Sequence, residues 1–331
     1  MKKVFLVAGA LMLAGSSLAQ SGSITLYSGR GKTFVEPIVE RFEKESGIKV
    51  NVRYGKDAEL VALLRQEGAR SPADVFWGNS VGAMGQLDAD GRFVRLGSNI
   101  TRPVAREYMP ASGNWVPTTL RFRTLAYSSE RVKASQLPAS VFDLPKMTQF
   151  KGRIGWTLSY PSFQDFLAGM IAKHGEAKTR QWLLDMKKLN PVDYKTSNVN
   201  MMEAIRAGQI DMGLTNHYYI QRVGKLGYPV ETHFFKAGDI GNLGNATGVG
   251  VLKTSKNPAA ASRLVQKMVS SDAQNFFMGV NFEYPVISNT YTPSGMLPYA
   301  DAVRRSPRIS ASALPSNLQK AQKLLRETGL L

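Results

Sequence analysis

The sequence contains no cysteine. That absence removes thiolate zinc sites, iron–sulfur clusters, disulfide frameworks and cysteine nucleophiles together. Histidine is scarce as well, with 3 in 331 residues. None of them pairs at the i, i+4 spacing that grips a metal from one helix face. A metal bound here rests on oxygen ligands or an isolated imidazole. There is no G-x-S-x-G elbow, no Walker loop and no H-E-x-x-H segment, so the chain carries no enzyme signature. Arg30-Gly31-Lys32-Thr33 contains Gly-Lys-Thr but lacks the earlier glycine of a phosphate-binding loop. No internal repeat and no low-complexity tract occurs. Lys+Arg 42 against Asp+Glu 25 gives a net charge of +17. The basic residues are scattered, without long runs or an aromatic-interleaved stripe. They read as a solvated basic surface and not as a nucleic-acid footprint.

The chain opens on an address. Lys2 and Lys3 precede an apolar stretch from Val4 to Gly15, and Ser17-Leu18-Ala19 places small residues where a signal peptidase inspects. Residues 1–19 read as a cleaved secretory signal, too short to span a bilayer. No cysteine follows to carry a lipid. Losing two lysines takes the charge from +17 to +15. No later segment is long and apolar enough to cross a membrane, so an exported, soluble protein in the periplasm is expected.

The rest alternates strand and helix. Ile24 to Tyr27 reads as a strand. Thr33 and Glu36 have capping-box spacing ahead of a helix carrying Phe34, Val35, Ile38, Val39 and Phe42, and Ser46-Gly47 ends it. Ile48 to Tyr54 alternates as a strand, Asp57 opens a helix, and Ala73 to Trp77 is a buried strand. This βαβαβ wiring implies a mainly parallel sheet flanked by helices. Further strands are expected at Leu120 to Tyr127, Arg153 to Thr157, Ile210 to Leu214 and Val249 to Leu252. Helices are expected after Ser162, with Asp165 completing a capping box, over Ala177 to Leu189, and after a cap at Asn198 or Asn200. Two α/β units predict two lobes with a ligand cleft between them. Ligands in such folds bind beyond the carboxyl ends of strands, near helix N-termini.

The chemistry of those junctions lies in tyrosines. A Tyr-Tyr pair is ordinarily half-buried packing. Tyr218-Tyr219, however, sits where a strand passes into a helix, and Tyr160 occupies the matching place in another junction. A phenol with a pKa near 10 ligates poorly until a helix N-terminus and a hard trivalent cation favour its anion. Three phenolates would neutralise Fe³⁺ and colour the complex.

From Ile24-Thr25-Leu26-Tyr27-Ser28-Gly29-Arg30, through Ser71-Pro72-Ala73-Asp74-Val75-Phe76-Trp77, to Gly213-Leu214-Thr215-Asn216-His217-Tyr218-Tyr219, the chain resembles the bacterial ferric-iron-binding periplasmic proteins. These are the solute-binding subunits of ferric iron ABC importers. The resemblance covers essentially the whole chain after the signal, and Asn-His-Tyr-Tyr is its most specific motif. It implies a type II two-lobe periplasmic binding protein. Each lobe would be a mixed, mainly parallel sheet flanked by helices. The lobes would comprise residues 20–119 with 245–290, and 120–244 with 291–331. It implies Tyr160, Tyr218 and Tyr219 as ligands of Fe³⁺. The first loop lacks the histidine or tyrosine that some members use, and Glu59, the nearest acidic candidate, falls in a helix pattern. Carbonate or bicarbonate is therefore expected as a synergistic anion. Arg121, Arg123 and Arg30 are its candidate partners. Arg121 and Arg123 are expected on opposite faces of their strand, so that one reaches the cleft. Asn198, Asn216 and His217 are expected to support the ligands without touching iron, and His174 and His233 to be structural. The lobes would hinge near Thr119 to Tyr127 and near the glycine-rich Glu231 to Gly250. A monomer delivering iron to an inner-membrane permease follows. The alternatives are a same-fold receptor for a small anionic organic solute, a basic exported protein that binds polyanions and, more distantly, an exported carboxylate hydrolase.

Overall fold

The computed structural model describes residues 22–288, 291–309 and 313–331. The signal reading at residues 1–19 lies outside them. The first unit is β1 (Ser23–Ser28), α1 (Lys32–Ser46), β2 (Lys49–Tyr54), α2 (Asp57–Glu67), β3 (Val75–Gly78) and α3 (Val81–Ala89). Strands β1, β2 and β3 pair in parallel with β1 in the middle, as the βαβαβ wiring predicts. α1 buries Phe34, Val35, Ile38, Val39 and Phe42, the expected face. Its start differs from expectation: Gly31 is the N-cap and no side chain caps the helix. Gly47 closes it with a left-handed φ of 70°, a conformation that glycine adopts without a Cβ penalty.

A short α4 (Ser98–Thr101) leads to β4 (Val116–Ser128), buried along its whole length. The second unit follows: β5 (Ile154–Trp156), α5 (Pro161–His174), α6 (Glu176–Lys188), β6 (Val192–Asp193), α7 (Asn198–Arg206), β7 (Met212–Asn216), α8 (His217–Gly224) and β8 (Val230–His233). The chain then returns through β9 (Gly244–Val251), α9 (Pro258–Met268), α10 (Ser271–Asn281), α11 (Tyr299–Arg305) and α12 (Ala313–Glu327). Among the described residues no helix is long and apolar enough to cross a membrane.

β4 joins the two halves. Val116 to Phe122 pairs with β9, which pairs in turn with β3, and both pairings are antiparallel. From Arg123 onward β4 pairs with β7 and from Leu125 with β8, while β5 lies parallel to β7 and β6. The path therefore runs β2-β1-β3-β9-β4-β7-β5-β6. One large apolar core extends through both halves, and a smaller one surrounds Met201, Ile205 and Ile220 under α7 and α8. α12 lies along α5 and also against α3.

Two glycines of β9 sit against large aromatic rings. A Cβ on Gly248 would lie 2.7 Å from the Trp115 ring, and one on Gly250 2.7 Å from the Phe93 ring. These glycines let large aromatic rings settle onto the strand.

Candidate metal centre

Three tyrosines meet at the mouths of two helices. Tyr160 is the N-cap of α5, held extended at φ −80° and ψ 132° by Pro161 at the first helical position. The expected capping box at Ser162 and Asp165 is not formed, because both side chains are used elsewhere. Asn216 ends β7 and caps α8, which places Tyr218 and Tyr219 in that helix's first turn. The hydroxyls of Tyr160 and Tyr219 lie 3.0 Å apart. The rings of Tyr218 and Tyr219 lie 4.3 Å between centroids, tilted 35° to one another. Burial, reinforced by the neighbouring Tyr218, pushes the phenol pKa of both Tyr160 and Tyr219 above the ordinary value.

The tyrosines form one wall of a cavity of about 630 Å³. The facing wall carries Arg30, Asn79, Asp57 and Glu283, and Gln164, Thr196, Arg222 and Gln322 contribute to the lining. Arg30 makes a buried ion pair with Glu283, its Nη2 reaching both carboxylate oxygens at 2.9 and 3.0 Å. Thr119 donates its hydroxyl to the same carboxylate, and Asn281 adds its amide at 3.0 Å. Burial opposes the Glu283 charge. Arg30 and Arg121 outweigh it and hold the carboxyl below the usual range. Asp57 accepts the Asn79 amide at 2.9 Å and the Ser80 hydroxyl at 2.9 Å, while burial raises its pKa. Glu283→Ala would strand Arg30 as a buried cation. We expect a loss of about 3–5 kcal/mol, read from urea unfolding. An unchanged midpoint would show that solvent reaches Arg30.

Arg121 and Arg123 do not divide between two faces, contrary to expectation. Residues two apart on a strand share a face. Both are buried, and both lie within electrostatic reach of the Tyr218 and Tyr160 hydroxyls. Neither lines the cavity, whereas Arg30 does. Arg121 donates to the side-chain oxygen of Asn79 at 3.1 Å and to its backbone carbonyl. Burial opposes its charge, but Tyr218, Glu283, Tyr160 and Asp165 together raise its pKa. Arg123 donates to Asn216 Oδ1 at 3.3 Å and rests over Phe163 and Phe166. Burial lowers its pKa to about 10.

Asn216 is a bridge. Its Nδ2 reaches Ser162 Oγ at 3.0 Å and the Tyr218 hydroxyl at 3.5 Å, while its Oδ1 holds Arg123. Asn198 does not cap α7. Ser197 caps it by accepting the Asn200 amide, and Asn198 Oδ1 instead takes the hydroxyls of Thr157 and Thr215 at 3.4 and 3.1 Å. It therefore steadies the strand ends and not a tyrosine. His217 Nδ1 accepts the Phe122 amide at 3.1 Å, which assigns the proton to Nε2 and its bond to the Phe282 carbonyl at 2.8 Å. Both ring nitrogens are occupied, and burial takes the pKa down to about 4. The ring ties β4 to the end of α10 and has no lone pair free for a metal. His233 hydrogen-bonds the Pro138 carbonyl, and His174 packs edge-on to Phe142. Glu59 stays at the surface, accepting the Lys56 amide.

Sequence reasoning missed the roles of five residues here. Arg222 lies over the rings of Tyr218 and Tyr219, at 5.0 and 5.6 Å. Helical i+4 and i+3 spacing from the tyrosines was a usable signal for it. Asn79 follows directly on the carboxyl end of β3, the kind of place where ligands bind in such folds. Glu283 and Asp57 carried no pattern of their own. Asp165, deep behind the site, accepts Asn245 Nδ2 at 2.6 Å, and burial pushes its pKa up to about 7.

Two α/β halves joined by strands common to both, with a cleft between them, define a two-lobe solute-binding protein. The model of the bacterial extracellular solute-binding proteins matches residues 27–275, and the chain belongs to that family. It is 32% identical to the Fe(3+)-binding periplasmic protein of Serratia marcescens, over 99% of this chain and 97% of that one. It is 28% identical to the major ferric iron-binding protein of Neisseria meningitidis serogroup B, over 98% of this chain and 97% of that one. Iron-bound HitA from Pseudomonas aeruginosa superposes with a TM-score of 0.86 at 30% identity, covering 93% of this chain and 99% of HitA. The Trichodesmium protein IdiA (FutA), solved with iron and citrate, gives 0.78 at 26% identity, covering 94% and 100%.

Proposed function

We propose that this protein is a periplasmic receptor that captures Fe³⁺ through Tyr160, Tyr218 and Tyr219 and delivers it to the permease of an ABC importer. The observation that carries this reading is the convergence of three phenols, with two hydroxyls 3.0 Å apart, on one wall of a cleft. Hard anionic oxygens suit a hard cation, and three phenolates balance its charge. The relatives named above, described as ferric-binding, support the cargo. A small oxyanion, carbonate or bicarbonate, completes the coordination from the arginine side of the cleft. No step of this function is catalytic. The lobes close about β4 and β9 by hinge motion, and the receptor acts as a monomer exported by the N-terminal signal.

Adding ferric citrate and bicarbonate to the purified protein should produce a phenolate-to-iron absorption band in the visible region. Tyr160→Phe should shift and weaken that band. A colourless mixture in which Tyr160→Phe retains the same iron would defeat the proposal. It would favour the reading in which Arg30 and its neighbours bind an organic anion.

A further inference from the structure

Asn79 holds a position that its place in an ordinary turn does not explain. Its side-chain oxygen accepts from Arg30 Nη1 at 2.9 Å and from Arg121 Nη1 at 3.1 Å. Guanidinium groups only donate, so the atom between them is the amide oxygen. Among the described residues, every hydrogen bond that Arg121 donates goes to Asn79, either to this oxygen or to the backbone carbonyl. The Nε of each arginine is buried without a partner. Arg30 is additionally fixed by Glu283 and by stacking on Phe34, 4.1 Å from the ring centre. The backbone N–H of Asn79 is anchored to Asp57. One neutral oxygen thus stands where two buried cations converge, at the edge of the cavity.

We propose that the Asn79 carboxamide is a built-in surrogate for the synergistic anion and sets which anion is taken and how tightly. The proposal rests on the ferric-receptor reading above. Without an anion, the amide oxygen keeps two buried donors from being orphaned, a state that is costly for charged groups. An arriving oxyanion puts a charged oxygen between the same two arginines and displaces the carboxamide, because charge-assisted hydrogen bonds are the stronger ones. Its reward is the difference between a charged and a neutral acceptor. Asn79 therefore weakens anion binding while keeping the arginines in place for it. A bulkier anion must move the side chain further, so the residue favours small planar oxyanions.

Two variants make the test directional. Asn79→Ala removes the competing oxygen, and the bicarbonate concentration giving half of the maximal ferric band should fall about tenfold. Asn79→Asp, of the same size, installs a permanent anion between the arginines, and that concentration should rise at least as much or the dependence should vanish. Damage to the fold alone would move both variants the same way. Parallel shifts, or two wild-type values, overturn the proposal. Should the wild type give no ferric band, the reading of the cargo fails separately. Calorimetric titration of bicarbonate into the metal-free proteins then decides the same opposite-sign question.

Discussion

Replacing Tyr218 and Tyr219 together by phenylalanine is expected to leave a folded protein that no longer colours with Fe³⁺. Ferric affinity should fall by roughly 10⁴-fold or more. That figure is a lower bound, since losing even an outer-sphere support of a metal site costs about 10–100-fold, and here both residues are proposed as direct anionic ligands. The fold should survive because phenylalanine keeps the ring contact at 4.3 Å and the apolar contacts of α8. What disappears is the Tyr160–Tyr219 contact at 3.0 Å and the long approach of Asn216 to Tyr218 at 3.5 Å. These are modest losses of about 1 kcal/mol each. Competition against citrate gives the affinity and thermal melting gives the fold. Retention of iron within tenfold of wild type would remove the phenolates from the site.

Iron retention should also fall steeply with acid, and the sign follows from burial. Tyr160 and Tyr219 have phenol pKa values raised by burial, so in the metal-free protein they are neutral phenols at pH 7. A cation that binds phenolates must displace those protons. Binding then releases up to one proton per tyrosine, and apparent affinity climbs as pH rises. Each proton is worth about 1.4 kcal/mol per pH unit. With three protons released, one unit of acidification weakens binding about 10³-fold. Indicator-dye titration during loading counts the protons directly, and competition from pH 5 to 8 gives the slope. An affinity that is flat with pH would mean that the iron meets neutral ligands, which phenols are not suited to be. Histidine protonation cannot mimic the effect. His217, the histidine beside the site, is neutral down to about pH 4 and has both nitrogens engaged.

Where side chains follow a period, the sequence was legible. The buried face of α1 and the order β1-α1-β2-α2-β3 follow from 3.6- and 2-residue repeats, and the tyrosine junctions follow from knowing where α/β sheets bind ligands. The N-termini of the helices were not legible. Ser162 and Asp165 have the spacing of a capping box, but Asn216 and Asn245 recruit them across the fold. Long-range partners outbid local ones, and spacing cannot register that. Arg121 and Arg123 were misplaced by a simpler slip of parity along the strand. The Arg30–Glu283 pair was invisible for a deeper reason, since its members are 253 residues apart and neither sits in a motif. Half of the cleft is assembled from such contacts, so the tyrosine wall is readable in one dimension and the arginine wall is not.

The position of β9 sets an order of events. It is inserted between β3 and β4, yet it comes from the chain after the whole second unit has been made. When residue 128 leaves the ribosome, β3 and the first part of β4 have no strand to join them, and the first sheet waits for residues 244 to 251. Pairings this distant in sequence form slowly. A polypeptide whose founding sheet cannot close until three-quarters of it exists remains threadable for longer. That delay would suit the export proposed for this chain, in which a polypeptide is threaded through a membrane before it folds.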